Sequence, residues 1–143
     1  MGLIRVFFDT NLFIYLIEGN TEQKRRAVQL VEGADQRGYE IVTSSLTLGE
    51  VLVQPLHREN FDLATQYEEL LQPPAVSVID FDREAARHFA SIRRDKTIKA
   101  PDAIQLACAA HAGCDLFITN DERLTSKIVP GIHFIASFER AYL

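Results

Sequence analysis

Phe7-Phe8-Asp9-Thr10-Asn11 closes the strand-like run Ile4, Val6, Phe7, Phe8, and the reading of the fold turns on it. A carboxylate directly after such a run sits at a strand's carboxyl end, the edge at which open α/β sheets bind ligands. Leu116-Phe117-Ile118 leads into Thr119-Asn120-Asp121 in the same manner. Two strands that each bring a hydroxyl, an amide and a carboxylate to one edge suggest a site for a hard cation.

Outward from these two segments the chain alternates. Strand-like runs fall at 4–8, 40–43, 76–79, 116–118 and 132–135, with helical patterns between them. Apolar residues recur at three- and four-residue steps in 24–34 (Val28, Leu30, Val31, Ala34), 83–93 (Ala85, Ala86, Phe89, Ile92) and 101–112 (Ile104, Ala107, Cys108, His111). Such alternation predicts a three-layer α/β/α fold around a central, mainly parallel five-stranded sheet. Gly38 reads as a helix C-cap, Ser45 as an N-cap and Pro101 as a first-turn residue. Pro55 disturbs the end of the helix that Ser45 opens, Pro73-Pro74 breaks the next, and Pro130-Gly131 turns into the last strand. Residues 44–72 read as two successive helices, so one crossover is expected to be longer than the others. No repeat or flexible linker divides the 143 residues, which are read as one domain spanning 1–143.

Composition narrows the class. An apolar fraction of 47% and a charged fraction of 24% suit a soluble globular protein. No apolar run approaches the roughly 18 residues needed to cross a bilayer. The N-terminus lacks signal-peptide order, and Val6 spoils a myristoylation motif, so a cytoplasmic location is expected with no membrane contact. Cys108 and Cys114 read as free thiols rather than a disulfide. His57, His88, His111 and His133 are too scattered to make a metal-ligand spacing, and no Gly-rich phosphate loop occurs. A net charge of −5 argues against a broad basic face for nucleic acid. It does not exclude an enzyme that acts on nucleic acid, since four site carboxylates would account for most of the excess.

Position singles out four of the twenty acids. Asp9 and Asp121 follow buried-looking strands. Asp102 stands in a helix's first turn, between Ala100-Pro101 and Ala103-Ile104. Glu50 lies among aliphatic residues in Leu46-Thr47-Leu48-Gly49-Glu50-Val51-Leu52. Singly, each has a plain explanation: a turn former, a helix cap, a dipole partner, a half-exposed helix residue. Together they fall on one side of the molecule. If strand order reverses between the first and fourth strands, Asp9 and Asp121 flank the switch-point crevice. Repulsion would raise some of their pKa values unless a cation offsets it, and all-oxygen ligation suits Mg²⁺ or Mn²⁺.

The pattern resembles the PIN-domain ribonucleases, above all the compact VapC toxins of type II toxin–antitoxin systems. Asp9-Thr10-Asn11-Leu12-Phe13-Ile14-Tyr15 resembles the opening motif, and Ser45 to Glu50 the second acidic motif. Pro101-Asp102-Ala103-Ile104 and Thr119-Asn120-Asp121 resemble the third and fourth. The resemblance covers nearly the whole chain. It implies a metal-dependent endoribonuclease with Asp9, Glu50, Asp102 and Asp121 around Mg²⁺ or Mn²⁺. Thr119, Asn11 and, more weakly, Thr10 would hold those carboxylates in position. It also implies an RNA substrate, a cognate antitoxin and a homodimer, with Leu56, Phe61, Leu63 and Tyr67 as exposed contact candidates.

Cations concentrate just before Asp102. Six of them (Arg83, Arg87, Arg93, Arg94, Lys96, Lys99) face three acids (Asp82, Glu84, Asp95), and Arg93, Arg94, Lys96 and Lys99 are the candidates for RNA-backbone contact. Three other readings compete: a PIN nuclease for RNA processing outside any toxin pair, a Mg²⁺-dependent phosphatase, and a non-catalytic Mg²⁺-binding interaction or signalling domain. A phosphatase of this type places a second Asp two residues after the first, where Asn11 stands. A signalling receiver pairs acids near its first strand, where Asp9 is alone.

Overall fold

The computed structural model describes residues 2–143. Its order is β1 (Arg5–Phe8), α1 (Thr10–Glu18), α2 (Thr21–Arg37), β2 (Glu40–Ser44), α3 (Ser45–His57), α4 (Phe61–Leu70), β3 (Ser77–Ile79), α5 (Arg83–Ile92), α6 (Ala100–His111), β4 (Leu116–Thr119), a 3₁₀ turn (Glu122–Ser126) and β5 (Phe134–Ser137). The strands form one sheet in the order β3-β2-β1-β4-β5, and every pairing is parallel. Strand order therefore reverses between β1 and β4, which are neighbours in register Phe8↔Ile118. The Asp9 N–H continues that ladder to the Ile118 carbonyl at 3.0 Å.

Right-handed crossovers decide which face each helix covers. Stepping from β1 to β2 to β3 lays α1 to α4 on one face, and the return from β3 to β4 lays α5 and α6 on the other. The side chains of β1 follow this division. Val6 and Phe8 enter the core with Leu12, Phe13, Leu30, Val51 and Tyr67, while Phe7 enters the core with Ala85, Ile92, Leu106 and Phe117. The Phe7 and Phe117 rings stack with centroids 4.9 Å apart, a contact worth about 1 kcal/mol beyond simple burial.

Several boundaries differ from the sequence reading for local reasons. Ser44, not Ser45, caps α3 by accepting the Thr47 N–H. The break at Gly19 and the capping box of Asn20 with Gln23 start a second helix between β1 and β2. All three crossovers out of β1, β2 and β3 consequently carry two helices, and the one through 44–72 is not exceptional. β5 begins at Phe134, two residues later than the apolar run, because Ile132 is buried in the preceding turn. Gly38 ends α2 with φ 69°, the left-handed cap that glycine adopts without penalty. Tyr67 is no surface residue: it is 0% exposed, and its hydroxyl donates to Glu18. Leu63 is half-buried, whereas Leu56 and Phe61 remain exposed. Among the described residues, no helix is long and apolar enough to cross a membrane.

Candidate functional site

The carboxyl ends of β1 and β4 open into a cleft of about 550 Å³. It is lined by Asp9, Glu50, Asp102 and Asp121, with Thr10, Asn11, Gln105 and Asn120 among its other walls. Four elements thus bring together the four acids that sequence position singled out. Asp9 is the N-cap of α1, Glu50 lies in α3, Asp102 lies in the first turn of α6, and Asp121 caps the 3₁₀ turn after β4.

Asp9 is the most deeply set of the four, at 9% exposure. Its Oδ1 accepts the Thr10 N–H at 2.8 Å and the Gln105 Nε2 at 3.3 Å, and its Oδ2 accepts the Thr119 hydroxyl at 2.8 Å. Burial raises its pKa; the hydrogen bonds from Thr119 and Thr10 oppose that, and the nearby Glu50 charge adds to the rise. Glu50 is exposed as a residue, yet its Oε1 accepts the Thr10 hydroxyl at 2.6 Å. Asp102 is also raised, by burial first and then by repulsion from Asp9 and Asp121. Asp121 is lowered, chiefly because Arg123 hydrogen-bonds its carboxylate.

Beneath the acids lies a polar layer that the sequence reading did not single out. Gln105, 2% exposed, donates from Nε2 to Thr10 Oγ1 at 3.0 Å and Thr47 Oγ1 at 2.7 Å, and its Oε1 accepts the Ser44 hydroxyl. Thr43 Oγ1 lies 2.8 Å from both the Phe8 carbonyl and Thr47 Oγ1. No buried side-chain polar atom among the described residues lacks a partner. This layer was hidden because its members lie as far as 95 positions apart. The one local signal was Gln105 itself, a polar residue amid the apolar run from Ala103 to Ala110 and one turn beyond Asp102.

The supporting residues expected from sequence divide. Thr119 holds Asp9, and Thr10 holds Glu50 more directly than expected. The side chain of Asn11 hydrogen-bonds an amide rather than a carboxylate; its Nδ2 donates to Asn120 Oδ1 at 3.0 Å and ties α1 to the end of β4. Of the four cationic candidates, Lys99 stands close enough to the cleft for its charge to favour the ionised forms of Asp102 and Asp121, although Asp102 is raised on balance. Arg93 donates to the Ile98 carbonyl at 3.0 Å, Arg94 lines a separate hollow with Asp95 and Lys127, and Lys96 is exposed. Arg123, beside both Asp102 and Asp121, is a cation of the site that the sequence reading passed over.

The donor chemistry fits a hard divalent cation: carboxylates crowded enough to repel one another, with hydroxyls and amides fixing their orientation. As they stand, no three His, Cys, Asp or Glu side chains among the described residues close on a single point. Asp121 instead faces Arg123, and Glu50 faces Thr10.

Comparison with known proteins bears on the fold and the family. No curated protein sequence matches the chain. A chain of a toxin–antitoxin complex from Klebsiella pneumoniae aligns at TM-score 0.66 and 26% identity, over 89% of this chain and 94% of that one. A chain of VapBC2 from Rickettsia felis, bound to a promoter DNA fragment, gives TM-score 0.74 at 14% identity over 94% and 98%. DNA-bound VapBC from Salmonella typhimurium gives 0.64 at 21% over 95% and 99%. The family model described as the PIN domain matches residues 6–128, spanning all four acids, and the chain belongs to the PIN domain family.

Proposed function

We propose that the protein is a Mg²⁺- or Mn²⁺-dependent endoribonuclease and the toxin of a toxin–antitoxin pair. The observation that carries this reading is the convergence of Asp9, Glu50, Asp102 and Asp121 on one cleft at the β1/β4 switch point. Those four residues would hold the metal. A bound divalent cation supplies positive charge that acidifies a water and offsets charge growing on a phosphate.

The chain's own groups do the rest. Thr119, Gln105 and the Thr10 N–H fix both oxygens of Asp9, so the carboxylate presents one geometry. Thr10 orients Glu50, whose exposed position on α3 suits it to accept a proton from the attacking water. Lys99 offers a charge to the RNA backbone near the cleft, and the exposed Arg94 and Lys96 are further candidates for that contact. Arg93, bound to the Ile98 carbonyl, takes a lesser part.

Similarity to chains of toxin–antitoxin complexes, at 26% identity for the Klebsiella pneumoniae case, supports an antitoxin as the protein partner. The exposed Leu56 and Phe61 on neighbouring helices α3 and α4 offer a face for a homodimer.

Cleavage of structured RNA by the wild type and Asp9→Asn, with Mg²⁺, with Mn²⁺ and with EDTA, tests the chemistry. The wild type is expected to cut only with metal, and Asp9→Asn not at all. Full cleavage by the variant, or in EDTA, would overturn the reading. An antitoxin-like reading frame beside the gene supports the toxin role, and its absence favours a processing nuclease.

A further inference from the structure

Arg123 grips both oxygens of Asp121: Nε donates to Oδ1 at 3.1 Å and Nη2 to Oδ2 at 2.9 Å. The pair is lopsided, with the Arg123 side chain 71% exposed and that of Asp121 23%. Arg123 is also close enough to Asp102 for each to favour the other's charged form. With Thr97, Leu124 and Lys127 it lines a hollow that adjoins the acidic cleft through the shared carboxylates of Asp102 and Asp121.

A guanidinium fork and a divalent cation compete for the same carboxylate lone pairs and repel each other. Arg123 is the occupant that can leave, because an exposed ion pair is worth only about 0.2–1 kcal/mol. Once released it stands at the rim of the cleft with its donors free, in the planar arrangement that matches a phosphate.

We propose that Arg123 is an exchangeable counter-ion. It neutralises Asp121 until a divalent cation takes that carboxylate, and the freed guanidinium then grips a phosphate of RNA lying over the cleft. Metal and RNA thus reinforce each other's binding through one side chain, and the coupling is reciprocal. This inference rests on the metal-dependent nuclease reading and adds to it the means by which the site admits its two charged ligands together.

The test measures Mn²⁺ affinity by calorimetry without RNA, in the wild type, Arg123→Ala, Arg123→Lys and Asp9→Asn. It then measures binding of a short phosphorothioate-linked RNA, which resists hydrolysis and keeps its backbone charge, over a salt series in Mn²⁺. Arg123→Ala keeps the backbone N–H of residue 123 on Asp121, so the turn stays capped. Its Mn²⁺ affinity is expected to rise about two- to fivefold, the value of a lost exposed ion pair. Its RNA affinity in Mn²⁺ should fall, and the logarithmic salt slope should shrink by about 0.7, one phosphate contact on a single strand. Arg123→Lys should keep that slope. Equal or weaker Mn²⁺ binding by Arg123→Ala, or an unchanged slope, overturns the exchange. If Asp9→Asn binds Mn²⁺ as the wild type does, the metal-site reading fails as well; if it loses Mn²⁺ while Arg123→Ala does not gain, only the exchange fails.

Discussion

Gln105 Nε2 and Asp9 Oδ1 meet at 3.3 Å, joining a helix on one face of the sheet to the end of its central strand. Gln105 thereby acts as a keystone, since the same amide serves Thr10, Thr47 and Ser44. Gln105→Leu keeps most of the volume and strips those groups of their partner. Unfolding in urea should show a loss of about 2–3 kcal/mol, the cost of buried polar groups left without partners. RNA cleavage should fall about 10–100-fold, the usual effect of removing a group that orients a metal ligand.

Thr10→Val isolates the hydroxyl that Glu50 accepts, with the shape preserved. Calorimetry should report Mn²⁺ affinity lowered by about tenfold. Thr10→Ser restores the donor and should recover most of that loss.

The pH dependence of metal-free stability has a definite sign. Asp9 and Asp102 are raised above their ordinary value, chiefly by burial. Raised acids contribute stability that is fully present below the unfolded pKa and lost as pH rises through the folded one. Asp9→Asn should therefore melt higher than the wild type at neutral pH, by a few degrees for about 1 kcal/mol, with the gap closing toward acid. Mn²⁺ should reverse that order at neutral pH by binding the wild type alone. Asp95 works oppositely. The Thr97 hydroxyl first, and then Lys127, hold it down to about 2, so its contribution is lost only as pH falls toward that value.

Surface and core roles separate at α4. Tyr67→Phe removes only the hydrogen bond to Glu18 and should cost about 1 kcal/mol in urea unfolding, with no change in sedimentation. Leu56→Glu combined with Phe61→Glu charges the exposed face and should convert the proposed dimer to monomer without loss of Tm. A double variant that sediments as the wild type does would place any self-association elsewhere.

What could be read along the chain was local. The run ending at Asp9 implied a strand end, Gly38 a left-handed cap, and Pro101 a first turn, and each is where the backbone needed it. The resemblance and edge geometry also chose the four acids that share the cleft. What escaped was set by partners distant in sequence. Tyr67 read as exposed because helix periodicity cannot say which face Glu18 will meet, 49 residues away. Asn11 read as a support for Asp9 because Asn120, its actual partner, lies 109 residues on. Arg123 escaped although it is only two residues from Asp121, because nothing along the chain shows its guanidinium turning back onto that carboxylate.

The pairing of β1 with β4 also has a consequence for the timing of synthesis. Asp9 is made 110 residues before Thr119, so its N–H waits for the Ile118 carbonyl and its carboxylate for the Thr119 hydroxyl. Until β4 has left the ribosome, β1 lacks one neighbour and the cleft lacks a wall. A chain stalled before β4 therefore lacks part of the cleft. If the cleft cuts RNA as proposed, that activity arises only once β4 has emerged, and a partner that restrains it needs to be present by that moment and no earlier.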